Sequence, residues 1–551
     1  MKQELTKRNN FLLLKDFCKK FLFIISVSTV TLLLSNIGTG KQRLFSLILS
    51  FIIATFVTFK FNILNKIFKE HNTLYCLCSM FLATATGFFI GQLFYSYNIV
   101  VEPVRSIFVS IFIPDSLIMF GFIILSLFAL YSFYYFLVSR FLPKIVMFFK
   151  SLEKNEKNYL IFSTCILGLA IIIIYSITNV FYAPKLNGEI QTFDVVYSSD
   201  TGAHAVLNDY LNVSAVENDI RQPLFAIFSF PFAIIAYMIG NLFNNLGNGY
   251  FILIAIIQVF LMNIVSILLS RMLRLKNIEQ TLFLIFYTVT YPFILFAFNL
   301  EQYVFGMFWF MCFLYSYMQT KEGSKFCFIA SVGSLVTNAI LFPLLTSGRK
   351  VKKWLSDFLP TGLIFIAGII IFGQFPIILN IFSGAGHVSN YISGEINFNT
   401  LCQYSNFVAN CFIAPFNTIT EERLGHISFQ LAPAEVLNIL GCILLILVIL
   451  GFILNRKNLF AKICFAWVIF SIILLVVLGY GTRENGLILY SFYFNWAFVS
   501  LIFLLLKKLL EKRKKLFISI SIILITLLVI CNINGLIDLI QFGLQYFDHV
   551  V

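Results

Sequence analysis

Charge is what this sequence has least of. Only 12% of its 551 residues are Asp, Glu, Lys or Arg, against 60% hydrophobic and 17% aromatic, and the mean hydropathy is +0.91. Soluble domains use apolar residues for nearer half of the chain, so this composition excludes a soluble globular protein and reads as a polytopic membrane protein. No continuous basic face exists either. The lysines and arginines behind the net charge of +14 sit in short clusters between apolar runs, which argues against nucleic acid as a partner and matches cytoplasmic anchoring. Familiar catalytic motifs are missing: there is no Walker loop, GxSxG, HExxH or dinucleotide fingerprint. His387 and His426 are too far apart for zinc-ligand spacing. The sequence requires no cofactor, and a divalent metal has no motif to support it. No small-residue cleavage site follows the basic and then apolar start MKQELTKRNNFLLLKDFCKKF, so this stretch reads as an uncleaved first helix. Cysteines number eleven, but most, such as Cys165, Cys312, Cys442 and Cys464, lie inside apolar runs and read as small buried residues rather than a disulfide framework.

What the chain has instead is apolar runs long enough to cross roughly 30 Å of hydrocarbon as helices. They fall near 20–37, 44–64, 75–95, 117–139 and 158–180, then 223–243, 250–270, 281–298, 303–318, 326–346, 355–383, 436–454, 460–479, 486–506 and 516–534. The predicted fold is all-α, with about 13–15 transmembrane or half-spanning helices. Placing every basic connection in the cytoplasm puts the N-terminus inside, the C-terminus outside, and the polar loops 181–222, 299–302, 384–435 and 480–485 outside. Two irregularities are needed. Segment 223–243, with Pro223 and Pro231, must stay on the outer surface as an interfacial or re-entrant helix, and 326–346 must be two half-helices meeting near Thr337-Asn338. The expected organisation is four leading helices over 1–150, a core over 151–383 with outer loop 181–222 and interfacial helix 223–243, an outer loop 384–435 lidding a cavity, and C-terminal helices over 436–551. No internal repeat and no soluble domain is evident.

The most polar stretch is Phe193 to Phe225, FDVVYSSDTGAHAVLNDYLNVSAVENDIRQPLF. From Thr201 to Leu211 the apolar residues Ala203, Val206, Leu207, Tyr210 and Leu211 fall on one helical face, predicting a short amphipathic helix on the membrane. Asp200 precedes it and is either an N-cap or a carboxylate positioned to take a proton from a substrate hydroxyl; Asp194 is the reserve. His204, one turn on, suits surface packing as well as the cavity. Asp219, Arg221 and Gln222 precede Pro223, where an Asp–Arg pair before a helix-starting proline competes with an arginine facing a lipid-borne phosphate. Glu301 sits in the short link NLEQY, and Arg483 with Glu484 in another; each is either solvated or turned to a cavity.

The order of these elements resembles the GT-C superfamily of membrane glycosyltransferases that use polyprenyl-phosphate sugars, particularly the protein-mannosyltransferase and aminoarabinose-transferase type. The residues that carry the likeness are SSDTGAHAVLNDYLN with its acid before a juxtamembrane helix, RQPLF leading into a second interfacial helix, SRMLRLK closing a span, and NLEQY with Glu at a span's outer end. The likeness covers about 158–380. It departs from the family in the four helices that precede the core and in lacking paired-acid and His-Pro signatures. What it implies is a catalytic acid at Asp200 (or Asp194), a phosphate-facing Arg221 assisted by Arg483, and an acidic partner at Glu301. The implied reaction is inverting transfer of a sugar from a polyprenyl-phosphate donor to a hydroxyl of a glycan, lipid or protein acceptor at the outer face of the cytoplasmic membrane, serving the cell envelope. A polysaccharide polymerase or ligase is the alternative, one that would make Arg423 and His426 essential; a transporter or flippase would place charges in mid-span, where the sequence has few.

Overall fold

A computed structural model describes residues 2–34, 40–61, 64, 72–97, 115–186, 189–190, 195–197, 221–242, 248–345, 351–375, 378, 397–416, 418–423, 426–431, 435–481 and 486–547. The chain is all-α and polytopic. Its helices are α1 (Lys2–Leu34), α2 (Gly40–Phe61), α3 (Thr73–Tyr97), α4 (Asp115–Lys150), α5 (Lys154–Ile177), α6 (Phe225–Leu242), α7 (Gly249–Met272), α8 (Asn277–Thr288), α9 (Tyr291–Phe298), α10 (Gln302–Thr320), α11 (Lys325–Ser334), α12 (Val351–Ile371), α13 (Phe398–Asn410), α14 (Glu435–Leu454), α15 (Leu459–Ile472), α16 (Ser491–Leu509) and α17 (Lys514–Tyr546). The strands form two antiparallel hairpins, β1 (Lys185–Leu186) with β2 (Glu189–Ile190) and β3 (Thr418–Arg423) with β4 (His426–Leu431).

Among the described residues seven helices are long and apolar enough to cross a membrane, or eight if the bent pair α8–α9 makes one span. Apolar side chains stand exposed along them, as Ile161, Phe162, Ile166 and Leu169 do on α5 and Val436, Ile439, Ile443 and Ile446 on α14. Stripes of this kind are tolerated only against lipid. The chain is therefore a multi-pass integral membrane protein in a lipid bilayer.

Two compact units are distinguished. The first comprises Met1–Leu152, Asn212–Leu224 and Leu359–Phe382. Within it α1 packs on α2 and α4, and α3 on α4. Buried hydroxyls join these helices: Thr31 Oγ1 lies 2.7 Å from Ser50 Oγ and donates to the Ile371 carbonyl at 2.6 Å, and Thr86 lies 2.8 Å from the Tyr134 hydroxyl. Small hydroxyl side chains let apolar helices approach and bond where no water competes.

The second unit comprises Glu153–Leu211, Phe225–Phe358 and Ser383–Val551. Its core is built on α16, whose residues from Ser491 to Leu505 are all buried. A helix apolar on every side belongs at the centre of a bundle. Phe310 of α10 packs between Trp467 of α15 and Trp496 of α16, with ring centroids 4.7 and 5.5 Å away. At one end of this unit lies a buried ion pair. Glu156, fully buried on the first turn of α5, accepts from Arg271 Nε at 2.7 Å and from Nη2 at 2.5 Å, and from Gln280 Nε2 at 2.9 Å. It also caps its own helix through the Glu153 N–H. A desolvated carboxylate is stable here because bidentate arginine, an amide and a backbone N–H satisfy it together.

The apolar run 281–298, read from sequence as one helix, is broken. α8 ends at Thr288, α9 begins at Tyr291, and the two are bent by 60°. Pro292 at the start of α9 explains the restart, because proline cannot donate the backbone bond that would continue the helix. The freed groups find partners. Asn532 of α17 donates to the carbonyls of Val289 (2.6 Å) and Phe412 (2.8 Å), its Oδ1 accepts from Ala414 N (2.7 Å), and Tyr291 N donates to Phe412 O (3.1 Å). The second short pair is present as α11 and a 3-10 helix (Val336–Leu345), with its break at Leu335 rather than at Thr337-Asn338. Asn338 donates to Ser331 O at 3.1 Å and accepts from the Tyr493 hydroxyl, which holds the break against α16.

Segment 223–243 forms α6, an 18-residue helix containing Pro231. Its rings pack along α10, Phe225 and Phe232 on Phe305 and Phe228 on Trp309, while Tyr237 meets Tyr250 of α7. α6 thus lies lengthwise against two helices of the second unit.

Candidate functional site

Of the residues singled out from sequence, Glu301, Arg221 and Gln222 are described; Asp194, Asp200, His204, Asp219, Arg483 and Glu484 lie outside the described residues. Arg221 and Gln222 are half-buried in the turn before α6 and belong to the first unit. Leu224, which follows them, is buried. Glu301 belongs to the second unit.

Glu301 is only 2% exposed. It is the N-cap of α10, in extended backbone, and its carboxylate accepts from Gln302 N at 3.0 Å. A carboxylate is favoured there because free N–H groups and the positive end of the helix dipole both face it. The link that carries it is fixed from behind by Gln258 of α7. Gln258 Nε2 donates to the carbonyls of Phe296 (2.6 Å) and Asn299 (2.9 Å), and its Oε1 accepts from Glu301 N at 3.3 Å. Glu301 is therefore held by two rigid helices, which is what positions a reacting group without loop motion. Asn299, 1% exposed, has neither side-chain atom hydrogen-bonded.

The root of loop 181–222 meets this link. Leu300 N donates to Phe181 O at 3.2 Å, and the rings of Phe181 and Phe298 lie 6.1 Å apart. Farther along, Val195–Tyr197, the segment between Asp194 and Asp200 in sequence, is tied to strand β4. Tyr197 N donates to Phe429 O (2.9 Å), Phe429 N donates to Val195 O (2.7 Å), and the Tyr291 hydroxyl donates to that of Tyr197 at 3.1 Å. Phe181 and Tyr197 thus sit at opposite ends of α9, Phe181 beside the link that follows it and Tyr197 at its first residue, about 12 Å apart for eight helical residues. Tyr197 is buried with φ +49°, a left-handed backbone that costs a non-glycine residue of order 1–3 kcal/mol and is seen mostly where a site demands it. Burial, with Tyr291 second, pushes its phenol well above the ordinary value, so it stays a neutral hydrogen-bonding group.

In the first turn of α10, Tyr303 packs on Tyr490, centroids 5.8 Å apart, and Tyr490 packs on Tyr480 at 5.6 Å. Gln258, Asn299 and Tyr197 were not marked out by sequence reasoning. An amide in the middle of the run 250–270 was the readable signal for Gln258, since polar side chains inside apolar spans are kept for a partner. Among the described residues no group of three or more His, Cys, Asp or Glu comes together.

The described residues define an all-α, multi-pass membrane protein with a buried carboxylate fixed at a helix start and the segment Val195–Tyr197 tied to the start of α9 and to β4. No family model matches the chain, and neither does any curated protein or any solved structure.

Proposed function

We propose that the protein is a membrane glycosyltransferase that moves a sugar from a polyprenyl-phosphate donor to an acceptor hydroxyl, with inversion, at the membrane face opposite its basic connections. The observation that carries the reading is the anchoring of the acidic loop. Val195–Tyr197, which follows Asp194 in sequence, is pinned to Tyr291 and Phe429, and Phe181 at the loop's root is pinned to the link bearing Glu301. In this reading Asp200, with Asp194 in reserve, is the general base that takes the acceptor proton. Glu301, buried and acceptor-only when ionised, orients the acceptor or the positive charge developing at the anomeric carbon. Arg221, with Arg483, binds the leaving phosphate, where a guanidinium's fixed fork suits the geometry. His204, Asp219, Gln222 and Glu484 are the candidate acceptor contacts. The long apolar tail of the donor is the reason for building the enzyme from spans.

The test is transfer in proteoliposomes from radiolabelled polyprenyl-phosphate sugar, with Asp200→Asn and Glu301→Gln beside the parent chain. Both variants are expected to elute as the parent does, and Asp200→Asn to lose about 10²–10⁴-fold in rate. Full activity in Asp200→Asn would sink the assignment. One observation favours the polymerase or ligase reading: β3 and β4 pair Arg423 with His426 at the hairpin's end. Arg423→Ala and His426→Ala separate the two, since only that reading makes both residues essential.

A further inference from the structure

A partly open cavity of 190 Å³ lies in the second unit between α13, α14 and the 3-10 turn Gly486–Tyr490 that precedes α16. Its lining is unusual for a membrane protein, because one wall is made of amides. Asn399, Gln403, Asn406 and Asn410 follow one another at helical spacing down one face of α13, and Asn438 of α14 joins them. Three of their oxygens, Asn406 Oδ1, Asn410 Oδ1 and Asn438 Oδ1, are buried without a hydrogen-bond partner. Asn410 is only 2% exposed. A buried amide oxygen left unpaired costs about 1–3 kcal/mol, so three around one cavity point to a ligand that supplies the missing donors. The remaining wall, Phe407, Leu431, Leu437, Leu487 and Ile488, is apolar.

We infer that this cavity binds an uncharged sugar residue. No described lining residue is charged, which disfavours phosphate, carboxylate and ammonium ligands. Amides donate and accept side by side, as vicinal hydroxyls do, and the carbon faces of a pyranose suit leucine and phenylalanine. The volume is below the roughly 300–1,000 Å³ of drug-sized sites and has room for about one ring. Two features build the cavity. Gly441 of α14 allows α13 to lie on it, since a Cβ there would stand 1.8 Å from Ser405 O, and Ser405 Oγ donates to Asn438 O at 2.5 Å. Strand β4 links the cavity to the acidic loop. Phe429 holds Val195–Tyr197, and Leu431, two residues on and on the same strand face, lines the cavity. On the transferase reading, on which this last step rests, the cavity holds the sugar unit of the acceptor.

Cys402 lines the cavity and is half-buried, so it reports occupancy. In the full-length chain in lipid nanodiscs, maleimide modification of Cys402 is followed by peptide mass spectrometry. The probes are the methyl glycosides of glucose, galactose, mannose and N-acetylglucosamine. At least one is expected to slow modification severalfold. Asn406→Leu and Asn438→Leu should each weaken that protection about tenfold, and Asn410→Leu at least as much. If Asn410→Leu does not fold, the half-buried Asn406 and exposed Asn399 carry the test. Protection by none of the glycosides, protection indifferent to these substitutions, or protection by sodium over choline with the sugars inert would overturn the inference. Glu301→Gln should keep full protection while losing transfer. Protection without transfer in any chain would leave the cavity standing and remove the transferase; transfer unchanged in Asn406→Leu, with no protection in the parent, would do the reverse.

Discussion

Replacing Asn532 by leucine separates two accounts of how the broken span is held. Asn532 is fully buried on α17 and serves three backbone groups, the Ala414 N–H and the carbonyls of Val289 and Phe412. Phe412 O also accepts from Tyr291 N at 3.1 Å, so it would keep a partner. Two groups would be left unpaired, at about 1–3 kcal/mol each, for an expected loss of about 2–6 kcal/mol. Were Asn532 an ordinary interhelical hydrogen bond in lipid, the loss would be about 0.6 kcal/mol and at most about 1.7. The assay is reversible unfolding in mixed micelles with increasing SDS, followed by circular dichroism and tryptophan fluorescence. Ile533→Ala on the same helix, 45% exposed, is the control expected to stay within about 0.5 kcal/mol of the parent. A loss below about 1.7 kcal/mol for Asn532→Leu would refute the argument that this amide replaces the backbone bonds of the break.

Glu156→Gln leaves Arg271 desolvated without its carboxylate, and breaking a buried pair costs about 3–5 kcal/mol; the same SDS titration should give that loss, and Glu156→Gln with Arg271→Gln together should recover much of it. Alkaline pH gives another expectation. Burial pushes the Tyr182 phenol up to about 12 and raises that of Tyr197 as well, whereas unfolded tyrosine titrates near 10. The folded state thus favours the neutral phenol, and this stability is complete below pH 10 and lost as pH rises toward 12. Unfolding monitored by tyrosinate absorbance should show a flat midpoint up to about pH 10 and a decline above it, steeper than in Tyr182→Phe.

The spans were legible because apolar runs of membrane length have few other uses, and α5, α7, α14 and α16 fall where the runs do. What the runs concealed were the interruptions. Pro292 and Asn532 were visible as a helix starter and an amide inside apolar stretches, but nothing in the one-dimensional pattern says that Asn532 serves the break before Pro292, reaching the carbonyl of Val289, 243 residues away in sequence. The same holds for Tyr197, whose strained backbone follows from its pairing with Phe429 in a later loop. Glu301 was readable as an acid at a span's end; that Gln258 fixes the link behind it was not, because the bond depends on how α7 faces α9. The amides Asn399, Gln403, Asn406 and Asn410 recur at helical spacing in the sequence, yet an amide stripe reads as a solvated face until α14 and the 486–490 turn close over it.

In the proposed reaction the carboxylate at Asp200 takes the acceptor proton. The most direct measurement of this role is the single-turnover rate of polyprenyl-phosphate release from a labelled polyprenyl-phosphate sugar by Asp200→Asn and by the parent chain in the same proteoliposomes. Release by the parent and a loss of about 10²–10⁴-fold in the variant are expected. Equal rates in the two, or no release by the parent with any polyprenyl-phosphate sugar, would contradict it.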